Sequence, residues 1–206
     1  MKAHVYLYKL FKKAFLKIYM AYTKIPVGFK LSVNDVRVGS GFKSNGVPVI
    51  DVWERGKFHI GDNLHINNGR RFNQIGRQQP CYFIVYNDAV LKLGNNVGMS
   101  ATAIVCFKSI TIGNNVKIGG NVVIYDTDFH SLDKVDRRDP KLDQEKKQCR
   151  DVVIEDDVFI GAHSIILKGV TIGEGSIIGA GSVVSKSIPK NEIWAGNPAR
   201  FIKSAI

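Results

Sequence analysis

From Ile154 onward the chain counts in sixes: IEDDVF, IGAHSI, ILKGVT, IGEGSI, IGAGSV and VSKSIP follow one another without a break. An aliphatic residue leads each hexad (Ile154, Ile160, Ile166, Ile172, Ile178, Val184). The fifth position is small or aliphatic (Val158, Ser164, Val170, Ser176, Ser182, Ile188). A helix repeats about every 3.6 residues and a strand every two, so neither explains this period. A short strand plus a turn per hexad does. Three such hexads close a triangular coil, both repeated positions point inward, and compact residues such as Gly161, Gly173 and Gly179 turn the corners. Stacked coils then bury a continuous aliphatic column.

IGDNLH at Ile60, LGNNVG at Leu93, IGNNVK at Ile112 and IGGNVV at Ile118 carry the same signature less regularly, which predicts one prism over roughly two-thirds of the chain. With 206 residues and 45% hydrophobic content, one core is expected and not two. The stretch from Asp126 to Asp151 has charge, a proline and no aliphatic period, so it reads as a loop thrown out of the coil. Long loops on rigid scaffolds often carry function.

The net charge of +11 is concentrated at the start: Lys2, Lys9, Lys12, Lys13, Lys17 and Lys24 all precede the first acidic residue, Asp35. On a helical wheel these lysines share one side, and Leu7, Leu10, Phe11, Ala14, Phe15, Ile18 and Tyr22 fall on the other. An amphipathic helix over about residues 3 to 23 follows, giving an N-terminal helical unit 1–25 ahead of a β-helical domain 26–206. Two readings of the helix stand. Its apolar face packs on the end of the main domain, or it lies on the inner face of an anionic membrane. The lysines interrupt any signal-peptide core and no run spans a bilayer, so a cytoplasmic protein is expected. Cys81, Cys106 and Cys149 lack CxxC spacing and leave one thiol unpaired in any disulfide scheme, which fits a reducing compartment and suggests no metal site. No helix-turn-helix or RNA-binding signature points to nucleic acid.

The hexads, DTDFHSLD in the loop, DVFIGAHSIILKGVTIGEGSIIGAGSVVSKSIP and the closing WAGNPAR together resemble the hexapeptide-repeat acyltransferases. The likeness is greatest to sugar O-acetyltransferases of the maltose and galactoside type, and among them to the capsule and exopolysaccharide members, including the colanic-acid type. It covers about residues 60 to 203, and the run 118–200 is the specific part. The resemblance implies an all-β fold, a left-handed parallel β-helix, with the N-terminal helix and a short C-terminal tail added to it. It implies a homotrimer with acetyl-CoA between neighbouring subunits, no metal, and a sugar, nucleotide-sugar or lipid-linked glycan acceptor in surface polysaccharide biosynthesis. The handedness comes from the resemblance alone, because parallel crossovers are ordinarily right-handed.

The family's catalytic histidine lies in the interrupting loop, which here is His130. A sugar hydroxyl attacks a thioester poorly until a base removes its proton, and a histidine titrating near neutrality suits that task. Asp126 and Asp128 stand near enough in sequence to orient the ring, and which of them does so is open. The family places acceptor contacts on the coil before the loop, at Ser100 and Asn121; an asparagine at a corner also serves simply as a turn residue. For acetyl-CoA, the matching positions are Ala162, Ala180, Ser185, Lys186 and Arg200. Phe159, where many members carry tryptophan, keeps a flat apolar surface and loses the indole donor.

His59 and His65, six apart, are read as stacked surface histidines on one face; the zinc-binding γ-class carbonic anhydrases share this fold, but Lys168 stands where a further histidine near His163 would be needed. N-acetylation of an amino sugar is the alternative reaction, and a non-catalytic membrane-associated scaffold the alternative of another class.

Overall fold

The structure, a computed structural model, describes residues 2–73, 75–76 and 78–205. Short strands wind into coils of three. The first coil holds β1 (Arg37–Val38), β2 (Lys43–Asn45) and β3 (Val49–Val52), and the second β4 (Lys57–Ile60), β5 (His65–Asn67) and β6 (Tyr82–Val85). Next come β7 (Val90–Leu93), β8 (Gly98–Ser100) and β9 (Ala103–Cys106), then β10 (Ser109–Ile112), β11 (Lys117–Ile118) and β12 (Val123–Tyr125). After the loop follow β13 (Val152–Ile154), β14 (Phe159–Ile160) and β15 (Ile165–Ile166), and finally β16 (Thr171–Ile172), β17 (Ile177–Ile178) and β18 (Val183–Val184). Every third strand joins the same sheet: β1-β4-β7-β10-β13-β16 form sheet A, β2-β5-β8-β11-β14-β17 sheet B, and β3-β6-β9-β12-β15-β18 sheet C. Neighbours within each coil stack are parallel. The prism is thus a parallel β-helix, and it begins near Arg37, well before the segments where the hexads become obvious.

The register shows why a period of six specifies it. In sheet A the hexad leaders Ile60, Leu93, Ile112, Ile154 and Ile172 are successive partners. Ile66, Met99, Ile118, Ile160 and Ile178 do the same in sheet B, and Phe83, Ile104, Ile124, Ile166 and Val184 in sheet C. All of them are buried, as are the fifth-position residues from Val158 to Ile188. One slipped residue would turn every leader outward, so burial fixes the register.

The corner between sheets A and B explains the GDN and GNN motifs. The side-chain oxygen of Asp62 accepts the Ser40 N–H (2.6 Å), Asn95 accepts from Asp62 (2.7 Å), Asn114 from Asn95 (2.9 Å) and Asp156 from Asn114 (2.7 Å). The next residue in each case, Asn63, Asn96, Asn115 and Asp157, has φ of 58 or 59°. Asn and Asp tolerate that left-handed turn better than other non-glycine residues.

The N-terminal helix, α1, runs Ala3–Val33, beyond the expected end near residue 23 and through Pro26. Tertiary contacts carry it past the proline. Thr23 and Val27 are buried and Leu31 packs on the core. Lys30 Nζ donates to the Pro48 carbonyl (3.1 Å), and the Val52 N–H donates to Asn34 Oδ1 (2.7 Å). The boundary between helix and coil therefore falls near Asn34, not at residue 25. The expectation that the apolar face packs on the domain is overturned: the docked strip is Tyr19, Thr23, Val27 and Leu31. The broad stripe Leu7, Phe11, Ile18, Tyr22, Ile25 and Phe29 stays in solvent, and Phe15 on its edge is half covered, with Arg71 over its ring at 4.8 Å.

Two other departures concern the ends of the repeat. The C-terminal tail is a hairpin, β19 (Glu192–Gly196) with β20 (Ala199–Ser204), and β19 extends sheet B by pairing with β17. The excursion from Asp126 to Asp151 is folded rather than irregular. It is closed by a bridge between Thr127 and Cys149 and contains a second helix, α2 (Pro140–Lys146).

Candidate active site

Asp139 caps α2 by accepting the N–H groups of Lys141 (2.8 Å) and Leu142 (3.1 Å), and Pro140 stands at its start, where a missing N–H costs nothing. The helix carries Asp143, which is buried. Asp143 Oδ1 accepts the Ser131 N–H (2.7 Å) and Oδ2 lies 2.7 Å from His130 Nδ1. These two contacts hold the carboxyl of Asp143 below the usual carboxylate range, the histidine contact contributing most. An ionised carboxylate only accepts, so the proton of a neutral imidazole sits on Nδ1 and Nε2 presents its lone pair. The His130 side chain is 65% exposed, leaving that edge of the ring open.

Phe129 sets the ring's position. It has φ of +64°, unusual for an aromatic residue, and its N–H donates to Thr127 Oγ1 (3.0 Å). Its ring meets Tyr125 and Phe107 edge-on, at centroid distances of 5.0 and 5.9 Å. Behind His130, the Ser131 carbonyl accepts from Arg137 Nη1 (2.7 Å), and Asp136 is tied to Lys146 (2.8 Å). The loop is therefore a braced platform.

Neither aspartate expected to orient the histidine does so. Asp126 is fully buried and accepts the N–H groups of Phe107 (2.7 Å), Lys108 (2.7 Å) and Ser109 (2.9 Å), pinning the corner between β9 and β10. Asp128 pairs with Lys168 (3.3 Å). The residue on the ring is Asp143, thirteen positions beyond His130. Seven aspartates fall from Asp126 to Asp151 inclusive, and no spacing rule distinguishes the partner, because the loop fold brings it back.

The other expected residues divide between two edges of the prism. Ser185 and Lys186 are exposed and follow β18, at the edge from which the loop also springs. Ser100, Asn121, Ala162 and Ala180 lie at the opposite end of the sheet C strands, where sheet B turns into sheet C. Ser100 Oγ accepts from Asn67 Nδ2 (3.1 Å). Asn121 takes the left-handed turn (φ 63°) and its amide Nδ2 hydrogen-bonds His163 Nδ1 (3.2 Å), a corner role whatever else it does. Gly119 and Gly161 lie directly against Ala162 and Ala180 of the next coils, so close that a Cβ would come within 2.5 Å of the facing backbone nitrogen. Successive coils are thus in close backbone contact along this edge. Phe159, 47% exposed, pairs with Ile177 on the outer surface of sheet B, and Arg200 lies on β20 opposite Ala195, at the end of the same sheet. One chain does not bring the two edges together.

His59 and His65 do not stack. His59 faces outward from sheet A beside Arg37 and Lys92, and burial and these cations lower its pKa; His65 is on sheet B against Asn45 (3.0 Å). Six residues move the chain one side around the prism, and residues eighteen apart, such as Ile154 and Ile172, share a side. Among the described residues no group of three or more His, Cys, Asp or Glu is placed to hold a metal ion.

Residues 151–186 match the family model described as bacterial transferase hexapeptide (six repeats), and residues 92–126 match that described as hexapeptide repeat of succinyl-transferase. These two segments of the coil, 92–126 and 151–186, are similar to the hexapeptide repeats those models describe. A Schizosaccharomyces pombe protein named as a presumed acetyltransferase is 47% identical to this chain over 94 residues, 46% of the chain and 42% of that protein. The 2,3,4,5-tetrahydropyridine-2,6-dicarboxylate N-acetyltransferase of Clostridium perfringens is 56% identical over 52 residues, 25% of the chain and 22% of that protein. The chain thus spans less than half the length of these relatives. Among solved structures, AntD, an N-acyltransferase from Bacillus cereus in complex with dTDP and 3-hydroxybutyryl-CoA, superposes with a TM-score of 0.61 at 24% identity, over 82% of this chain and 83% of that one. A hexapeptide-repeat containing acetyltransferase from Vibrio cholerae superposes with a TM-score of 0.54 at 23% identity, over 93% of each chain. At these identities the structural likeness establishes the hexapeptide coil as the shared fold.

Proposed function

We propose that this chain transfers an acetyl group from acetyl-CoA to a sugar hydroxyl in surface polysaccharide biosynthesis, with His130 as general base and Asp143 positioning it. The observation that carries the reading is the His130–Asp143 pair. A ring fixed through Nδ1, with Nε2 free, stands on the folded excursion between two segments that are similar to transferase hexapeptide repeats. As the acceptor oxygen attacks the thioester carbonyl, Nε2 takes its proton, and the imidazolium is stabilised by the Asp143 carboxylate. Collapse of the tetrahedral intermediate breaks the C–S bond, and the departing thiolate takes the proton back from Nε2. The acetyl ester and coenzyme A are left.

The coil takes the left hand that the resemblance implies, and the division of the remaining residues between two prism edges favours its assembly as a homotrimer. There, His130, Ser185 and Lys186 of one subunit face the edge bearing Ser100, Asn121, Ala162 and Ala180 of its neighbour. The peptide column at Ala162 and Ala180 suits the amides of the pantetheine arm, Phe159 offers apolar contact, and Lys186 and Arg200 offer charge to the phosphates. Coenzyme A and 3-hydroxybutyryl-CoA in the AntD complexes support an acyl-CoA donor.

N-acylation of an amino sugar is the second reading, favoured by the dTDP-4-amino-4,6-dideoxyglucose bound to AntD. Thiol release from acetyl-CoA, followed with neutral sugars, nucleotide sugars and their amino analogues, separates the two. Turnover only with amino acceptors selects the second, no turnover with any acceptor rejects both and leaves the scaffold, and full activity in His130→Ala rejects His130 as the general base.

A further inference from the structure

Most of the apolar surface of α1 has no partner in the chain. Phe11, Ile18, Ile25 and Phe29 are 72, 70, 73 and 67% exposed, and Leu7, Phe15 and Tyr22 continue the stripe between and before them. At about 100° per residue this stripe points some 150° away from the docked strip of Thr23 and Val27, so a flat surface can reach it without meeting the coil. The helix is ~46 Å long at 1.5 Å per residue, and its first half extends beyond the docked strip.

The charge on α1 selects the occupant. Lys9, Lys12, Lys13, Lys17 and Lys24 stand on it, and residues 1–34 contain no acidic side chain. Lys12 borders the stripe on one side and Lys17 and Lys24 on the other, so their stems can lie along an apolar boundary with the ammonium groups reaching outward. Tyr6, Tyr8, Phe11, Phe15 and Tyr22 supply the aromatic rings that favour the region between acyl chains and headgroups. A second copy of the helix fits less well. Phe11, Phe15, Ile18, Tyr22, Ile25 and Phe29 have the 4-3-4-3-4 spacing of a helix-packing seam, but no acidic residue is present to pair with the lysines across it. Among the described residues no helix is long and apolar enough to cross a membrane.

We infer that α1 lies in the plane of an anionic bilayer surface, on the cytoplasmic leaflet, with the stripe Phe11–Phe15–Ile18–Tyr22–Ile25–Phe29 buried among acyl chains and the flanking lysines on lipid phosphates. The coil is thereby held at the membrane by a surface it does not use for its own folding.

Co-sedimentation of the full chain with vesicles tests this, using phosphatidylcholine alone and phosphatidylcholine mixed with phosphatidylglycerol. The expected result is binding at least ~10-fold tighter to the anionic vesicles and weakening as salt is raised. Phe11→Asp with Ile18→Asp should lower partitioning by ~10-fold or more, and Lys12→Glu with Lys17→Glu should abolish the preference for phosphatidylglycerol. These side chains are exposed, so circular dichroism and the unfolding midpoint should stay those of the wild type, and a folded variant that has lost binding supports the inference. Absence of wild-type binding to anionic vesicles, or undiminished binding by the folded aspartate variant, overturns it. Disassembly of the oligomer by the aspartate pair, with no vesicle binding by the wild type, would assign the stripe to a second copy instead.

Discussion

The carboxylate of Asp143 lies 2.7 Å from Nδ1 of His130, and it is fixed there by a second bond from the Ser131 N–H, also of 2.7 Å. The ring is therefore oriented by a residue from α2, on the far limb of the same excursion. Asp143→Asn keeps the shape but can present its NH2 group to the ring and reverse the tautomer. It should lower kcat with little change in KM, by less than the ~10²–10⁴-fold loss expected of His130→Ala. Steady-state kinetics on the two variants, with unfolding midpoints as a control, checks this.

Asp126 predicts the opposite pattern. Its carboxylate accepts three backbone N–H groups in a buried corner, and an asparagine there offers a single acceptor oxygen and adds unwanted donors. Asp126→Asn should cost about 1–3 kcal/mol of stability, visible in chemical denaturation. Loss of activity without loss of stability would return Asp126 to the chemistry.

The lowered pKa of Asp143 fixes the sign of a pH effect. Its stabilising contribution is complete above the unfolded value of about 3.9 and disappears as pH falls through the lower folded value. The stability difference between wild type and Asp143→Asn should therefore not fall from about pH 7 to pH 5 and should shrink below about pH 4. A difference that shrinks already between about pH 7 and pH 5 would contradict the assignment.

The thiols should separate by burial. Burial pushes Cys81 up to about 12 and raises Cys106 further, with Asp126 adding to the latter, while Cys149 is half-exposed on the excursion. A thiol reagent at about pH 8 should titrate one cysteine in the folded protein and all three in denaturant.

Two glycines should respond in opposite directions to alanine. At Gly161 the new Cβ would meet the Ala180 nitrogen at 2.5 Å, so Gly161→Ala must push neighbouring coils apart and should destabilise by about 1–3 kcal/mol. At Gly28 in α1 nothing lies within 4 Å, and Gly28→Ala should stabilise by roughly 0.5–1 kcal/mol. Thermal unfolding of both variants measures the contrast.

The coil was legible because it is specified locally. Each hexad states its own strand, inward residue and corner, and stacking only repeats that statement, so Ile154 to Val184 could be placed without any long-range information. The same local rule located the interruption and so His130. It reached less far where the hexads weaken, which is why the first coil, Arg37 to Val52, shows no hexad of its own although it lies within the domain expected over 26–206. His59 and His65 stand on different sheets because six residues advance the chain by one side of the prism and not by a full turn.

What the tertiary structure decided depends on the chain returning to itself. Asp143 rather than Asp126 or Asp128 meets His130 because α2 folds the excursion back, and a run with so many aspartates contains no local sign of that. The helix shows the same limit. Its amphipathicity was plain from residues 3 to 23, but amphipathicity gives the direction of the apolar stripe and not what covers it. Only the contacts of Thr23, Val27 and Leu31 with the first coils turned that stripe away from the protein. Local periodicity determined the prism, and long-range contacts decided which side chains meet and which face is left bare.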